Sequence, residues 1–372
     1  MTVTHTTNGD GQGASSPAPR SPLLATSSHS DHVLDVRDLK VEFKTEEGIL
    51  RAVDGVSFAM RRGRIMALVG ESGCGKSVTS YSILRLIQPP GRIAGGQILF
   101  RSKDGSSVDI AALNENSEQL FHLRGGKLSM IFQEPMTALS PVHTVGNQVC
   151  EAILLHQKMS KQQAREKAIA MLGKVGIPAP ERRIDQYPFE LSGGMRQRVV
   201  IAMALVCNPE VLIADEPTTA LDVTIQAQVM GLIKDLQKEL GTSTLLITHD
   251  LGVVGQLADA IAVMYLGRIV EQGPVREIMK NPRHPYTLGL LKSLPSLAMN
   301  KARLPSIDGT VPSLNAIPPG CPFHPRCPYA KEGLCDVGAP PPVESINDRH
   351  AVACLRWREA TGSGERVAGA AT

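Results

Sequence analysis

Residues Gly70–Ser77 constrain this chain more than any others. They read GESGCGKS and match G-x-x-x-x-G-K-[S/T], a loop whose successive backbone N–H groups cradle phosphates. Ahead of the loop, Ile65–Val69 is an apolar run of strand length. Behind it, Val78 to Ile87 has helical spacing, with Leu84 and Ile87 on the face of Ile83. Strand, glycine loop and helix together set a helix N-terminus against the anion. Gly70, Gly73 and Gly75 allow backbone conformations and close approach that side chains would block. Lys76 can reach the β/γ-phosphates, and Ser77 can put its hydroxyl on Mg²⁺.

At 372 residues the chain can bury a full core and allows two domains, or one large domain with an appendage. A hydrophobic content of 42% with 20% charged residues is ordinary for a globular protein. The net charge of +3 is not gathered into a long basic run, so electrostatics suggest no nucleic acid. No apolar run approaches the ~18–20 residues of a membrane-spanning helix, and the chain is not expected to cross a bilayer by itself. Of seven cysteines, four (Cys321, Cys327, Cys335, Cys354) lie beyond residue 320. A phosphate-loop protein works where nucleotide is, in a reducing compartment, which favours metal binding over disulfides for that group.

Residues 1–32 are rich in Ser, Thr, Gly and Pro and lack the basic start and apolar core of a signal peptide; they read as a disordered tail. From Val33, apolar and polar residues alternate as in a half-buried strand, and residues 51–60 suggest a second. Phe43 on this pattern is a packed strand residue. Residues 97–100 form a short strand, and Leu128–Phe132 a buried one that ends at Gln133, where α/β sheets bind ligands. Two amphipathic helices are expected over 145–157 and 161–176. Ser192-Gly193-Gly194, within LSGGMRQR, starts a helix running to Cys207, and its free N–H groups make a second anion site. Val211–Ala214 is an apolar strand delivering Asp215, the expected Mg²⁺ partner, and Glu216, which can orient or deprotonate water. Thr244–Thr248 ends in His249, again on the ligand side. Residues 260–272 supply two more strands, and composition shifts towards proline from Pro274.

Taken together, GESGCGKS, Gln133, LSGGMRQR, LIADEP, Ala220–Asp222 and His249 resemble the nucleotide-binding subunit of an ABC transporter. Closer still, FQEPMTALSP, DEPTTALDVTIQAQ, ITHDLGVV and the tail segments HPYTLGLLKSLP and GCPFHPRCP are similar to the oligopeptide/dipeptide permease ATPases. The resemblance implies an α/β P-loop NTPase with a RecA-like core, an antiparallel β subdomain and a helical subdomain, plus a Cys-rich C-terminal extension. Its boundaries are expected at 33–273 for the ATPase domain, with the helical subdomain at 134–205. The extension then covers 274–358, and 359–372 is a flexible tail. Two such ATPases, homologous or identical, sandwich two ATP molecules, each held by one subunit's Gly70, Glu71, Ser72, Gly73, Cys74, Gly75, Lys76, Ser77 and Val78 and the other's Ser192-Gly193-Gly194. Ser77 and Asp215 organise Mg²⁺ with Gln133 near the metal and the attacking water. Glu216 is the expected base, His249 contacts the γ-phosphate, Asp222 bridges the dimer, and adenine stacks on Phe43. Glu134 stands where the family usually has aspartate, a neutral change, and every catalytic position is intact. The resemblance further implies a peripheral subunit on the cytoplasmic face of the inner membrane, two membrane-spanning permease subunits and an extracytoplasmic peptide-binding protein. Nickel or glutathione as cargo, or a soluble ABC ATPase outside transport, are the alternatives.

The four late cysteines suit either Zn²⁺ or a [4Fe–4S] cluster. Five residues separate the first two and seven the next two, which is neither a C-x₂-C knuckle nor the common ferredoxin run, so spacing does not choose. Four reduced, unligated thiols remain the plain alternative. The resemblance tips the reading towards the cluster. Cys74, Cys150 and Cys207 fall in the ATPase body and are not expected to participate. No sequence feature links the extension to the phosphate loop, so it is expected to take no part in hydrolysis.

Overall fold

A computed structural model describes residues 31–134, 138–218, 223–294 and 307–360. Most of the proposed tails and Asp222 lie outside the described residues. The chain begins with two long strands, β1 (His32–Thr45) and β2 (Gly48–Arg61), which pair as an antiparallel hairpin. Strand β3 (Ile65–Val69) leads into the glycine loop and helix α1 (Lys76–Ile83). Strands β4 (Gly91–Arg101) and β5 (Ser107–Asp109) return to the hairpin and complete a four-stranded antiparallel sheet in the order β2-β1-β4-β5. After the short helix α2 (Glu118–Leu123) and strand β6 (Leu128–Ile131), three helices follow: α3 (Val145–His156), α4 (Lys161–Lys174) and the single turn α5 (Pro180–Arg183). Helix α6 (Gly193–Leu205) leads to strand β7 (Val211–Asp215). Helix α7 (Val223–Leu240), strand β8 (Ser243–Thr248), helix α8 (Leu251–Leu257) and strands β9 (Ala260–Tyr265) and β10 (Arg268–Pro274) follow. The extension adds α9 (Val275–Lys280), α10 (Pro285–Lys292) and strands β11 (Glu344–Asn347) and β12 (His350–Val352).

The second sheet has eight strands in the order β11-β12-β10-β9-β3-β8-β7-β6, parallel from β9 to β6. All five residues of β3 and of β7 are buried, as expected for a parallel sheet covered on both faces. The side-chain period of two sorts them between two cores. Ile65, Ala67 and Val69 join the core shared with the helices. Met66 and Leu68 join the core under the antiparallel sheet. Each fully buried Leu or Ile contributes about 2 kcal/mol, so both layers are held by the central strand that aims the phosphate loop. The helical region packs Val149 and Ile153 of α3 with Ala168 and Leu172 of α4. Ser160 and Gln163 form a reciprocal capping box at the start of α4, which fixes where that helix begins. Among the described residues no helix is long and apolar enough to cross a membrane.

The sequence leaves β9 and β10 as the last strands. The sheet instead continues, because β12 pairs antiparallel with β10, Glu271 opposite Val352. The buried Glu271 carboxylate accepts from the backbone N–H groups of Arg283 and His284 and meets His350 Nε2 at 2.8 Å. The extension is thereby sewn into the ATPase sheet.

Candidate active site

Strand register gathers the site. Val69 pairs with Thr248, Asp215 with Ile247, and Ala214 with Ile131. The carboxyl ends of β3, β8, β7 and β6 therefore lie side by side, and Gly70, His249, Glu216 and the Phe132–Gln133 step leave the sheet along one edge. That edge is where open α/β sheets bind ligands.

The loop is shaped by what surrounds it. A Cβ on Gly70 would stand 2.2 Å from the Met264 carbonyl oxygen, and one on Gly75 2.4 Å from that of Ala52, so only glycine fits. Gly73, at φ 78, faces open space. Helix α1 starts at Gly75 with no side-chain cap and no acidic residue in its first turn, which leaves its N–H groups and positive end for an anion. Lys76 is buried, and its Nζ donates to the carbonyls of Gly70 and Glu71, both at 2.9 Å. The ammonium is thus held over the loop before any phosphate arrives.

Asp215 is fully buried at the end of β7. Burial pushes its carboxyl above the usual range, with the Glu216 charge adding to this, while Ser77, Ser80 and Lys76 oppose it. Ser80 Oγ lies 3.4 Å from Oδ2, and Oδ1 has no hydrogen-bond partner among the described residues. A buried carboxylate with one orphaned oxygen beside the Ser77 hydroxyl suits a hard divalent cation such as Mg²⁺.

Glu216 follows with φ 44, a left-handed backbone unusual for a side-chain-bearing residue and typical of functional sites. Its N–H is held by the Ile247 carbonyl at 2.9 Å. The Glu216 carboxylate meets His249 Nδ1 at 3.3 Å, so the structure pairs two residues that sequence reading assigned separately. Asp250 caps α8, accepting from Gly252 and Val253, and thereby anchors the turn that carries His249. Gln133 and Glu134 are exposed beyond β6.

Phe43 is half-buried in the antiparallel sheet, where it pairs with Leu50 and Gly91. Ser192 is exposed and caps α6, accepting from Met195 N–H at 3.4 Å. Among the described residues no hydrogen bond joins Ser192, Gly193 or Gly194 to the phosphate loop. Gln197, one turn further along α6, is fully buried and donates to the carbonyl of Pro217, next to Glu216. Sequence reading did not single out Gln197 or Ser80, although Ser80 stands three residues after Ser77 on one helix.

The extension touches the loop, a contact that no sequence feature indicates. Arg326 grips the Glu71 carboxylate with both terminal nitrogens, at 2.7 and 3.0 Å, and the Glu71 N–H donates to Tyr286 Oη at 2.8 Å. Further out, Cys321, Cys327, Cys335 and Cys354 line one small cavity. Burial, with the neighbouring thiols adding, pushes Cys321, Cys327 and Cys354 up to about 11. Among the described residues no group of three or more His, Cys, Asp or Glu side chains is arranged to hold a metal ion. The four cysteines share that cavity lining, and as a donor set they have the chemistry of a thiolate-held centre.

Two family models match the chain. One, described as ABC transporter, covers residues 53–219. The other, described as Oligopeptide/dipeptide transporter, C-terminal region, covers 270–335 and so includes three of the four late cysteines. The dipeptide transport ATP-binding protein DppD of Bacillus subtilis is 52% identical over 326 residues, covering 87% of this chain and 94% of that protein. The oligopeptide transport ATP-binding protein OppD of the same organism is 51% identical, covering 86% and 87%. Among solved structures, the dimeric bacterial ABC transporter cassette MJ0796 superposes with a TM-score of 0.57 at 27% identity, covering 65% of this chain and 99% of that one.

Proposed function

The chain belongs to the ABC transporter ATP-binding subunits of the oligopeptide/dipeptide type, and from that membership we propose that it hydrolyses ATP to drive peptide import. The observation that carries the reading is the convergence on one sheet edge of the glycine loop, the buried Asp215 with its orphaned oxygen, and the Glu216–His249 pair. Lys76 and the loop amides bind the phosphates, while Ser77, Asp215 and Gln133 organise Mg²⁺ and the attacking water. Mg²⁺, when bound, neutralises charge on the phosphate oxygens. Glu216 takes the proton of the water, and His249, held against Glu216, turns towards the γ-phosphate. Adenine stacks on Phe43. Ser192, Gly193 and Gly194 lie on an exposed helix start and serve the ATP held by a second ATPase subunit, which Asp222 bridges. That partner, two permease subunits and an extracytoplasmic binding protein complete the machine, with this chain at the cytoplasmic face of the membrane. Residues 33–273 act as the ATPase domain and 274–358 as the extension.

Reconstitution tests the cargo. Proteoliposomes holding the chain, its permeases and its binding protein should take up labelled di- or oligopeptides only with ATP, and not with Lys76→Ala. Uptake of nickel or glutathione in place of peptides would reassign the cargo. For the four thiols the finer reading is a [4Fe–4S] cluster on Cys321, Cys327, Cys335 and Cys354, supported by their shared cavity. It would supply a structural or redox-sensing staple and no step of hydrolysis. Anaerobically purified protein should contain about four iron and four sulfide per chain. Stoichiometric zinc, or no metal, would refute the cluster and leave the ATPase untouched.

A further inference from the structure

Glu71 is an acidic residue inside a loop built to receive phosphates, and its carboxylate would repel them if it faced inward. The extension prevents this. Both carboxylate oxygens are taken by Arg326, whose side chain is 4% exposed and whose Nε donates to the Asp308 carbonyl at 3.1 Å. The guanidinium also lies near the rings of Tyr265 and Phe323, 5.9 Å from each centroid. Tyr286, fully buried on α10 and packed against both rings, holds the Glu71 N–H. The backbone carbonyl of the same Glu71 holds Lys76 Nζ. One loop residue is therefore fixed from outside on its side chain and N–H, and in turn fixes the phosphate-binding lysine.

We propose that Arg326 and Tyr286 are positioning residues of the ATP site, through which the C-terminal extension sets the affinity of the phosphate loop for nucleotide. The inference rests on the ATP-site reading above. Arg326 neutralises Glu71 and turns it away from the phosphates. Because Arg326 ends the short turn His324–Arg326 between Cys321 and Cys327, the clamp shares its loop with the four-thiol set.

The test measures Mg·ATP binding by the full-length chain, and KM against kcat for ATP in the assembled transporter. Arg326→Ala should weaken binding between about twofold and thirtyfold and raise KM more than it lowers kcat, since Asp215 and Glu216 are untouched. A merely structural loss would lower the active fraction, and so kcat, with KM unchanged. Adding Glu71→Gln to Arg326→Ala should recover much of the affinity by removing the freed charge. Arg326→Lys should fall between wild type and Arg326→Ala. Wild-type affinity in a folded Arg326→Ala chain, or no recovery in the double variant, would overturn the proposal. Should Arg326→Ala fail to fold, Arg326→Lys and Tyr286→Phe carry the test, and wild-type affinity in both would overturn it. Lys76→Ala is the control for the ATP site itself. If that variant binds Mg·ATP as tightly as wild type, the site reading fails whatever Arg326 does.

Discussion

Asp215 illustrates at the residue scale how the site stores free energy for its ligand. Its carboxyl is raised above the ordinary value chiefly by burial, so folding shifts this group towards its protonated form relative to the unfolded chain. Between the ordinary carboxylate value and the raised one, the folded state binds more protons than the unfolded state. Stability from this group is therefore fullest at low pH and is lost as pH rises through that window. A Mg²⁺ ion held by Asp215 would offset that loss by pairing with the ionised carboxylate. Asp215→Asn should accordingly raise the thermal stability of the nucleotide-free chain at neutral pH, by roughly 1–2 kcal/mol. The same variant should lose the additional stabilisation that Mg²⁺ brings to bound ATP. Melting curves with and without Mg·ATP check this, and a destabilised variant that still responds to Mg²⁺ would contradict the metal role of Asp215.

Legibility divides sharply at the scale of elements. The strands of the parallel sheet were readable because burial on both faces makes them short apolar runs, as in Ile65–Val69 and Val211–Ala214. Their carboxyl ends were readable as site positions because every parallel strand presents the same end to the same edge. Helices α3, α4 and α6 were readable from their amphipathic or motif-led stretches, and the structure adds the side chains that cap them, Thr144, Ser160 and Ser192. Strands β11 and β12 were not legible. At four and three residues they are too short for a period-two signal, and β12 exists through its pairing with the distant Glu271 and Gln272. The Arg326–Glu71 pair was invisible for the same reason, its members standing 255 positions apart. Pro- and Gly-rich composition gives no indication of where a loop comes to rest. Gln197 was hidden differently, since it sits in the quoted motif LSGGMRQR yet only the fold reveals that it reaches Pro217.

At the scale of the whole molecule, the central strand β3 ties both cores to the loop, while the extension joins the sheet through β12 and reaches the loop through Tyr286 and Arg326. The Ser192 start of α6 is exposed, and under the proposed function a second ATPase subunit completes a site there. Under the proposed function, nucleotide binding belongs to the loop and turnover to the Glu216–His249 pair of the assembled machine. The proposed activation of water by Glu216 is tested by Glu216→Gln in the assembled transporter, with the paired ATPase subunit carrying an inactivating substitution of its own. Phosphate release and retained nucleotide are measured side by side. ATP should remain bound as in the parent, with turnover lower by about 10²–10⁴. Hydrolysis at the parental rate would contradict that role of Glu216.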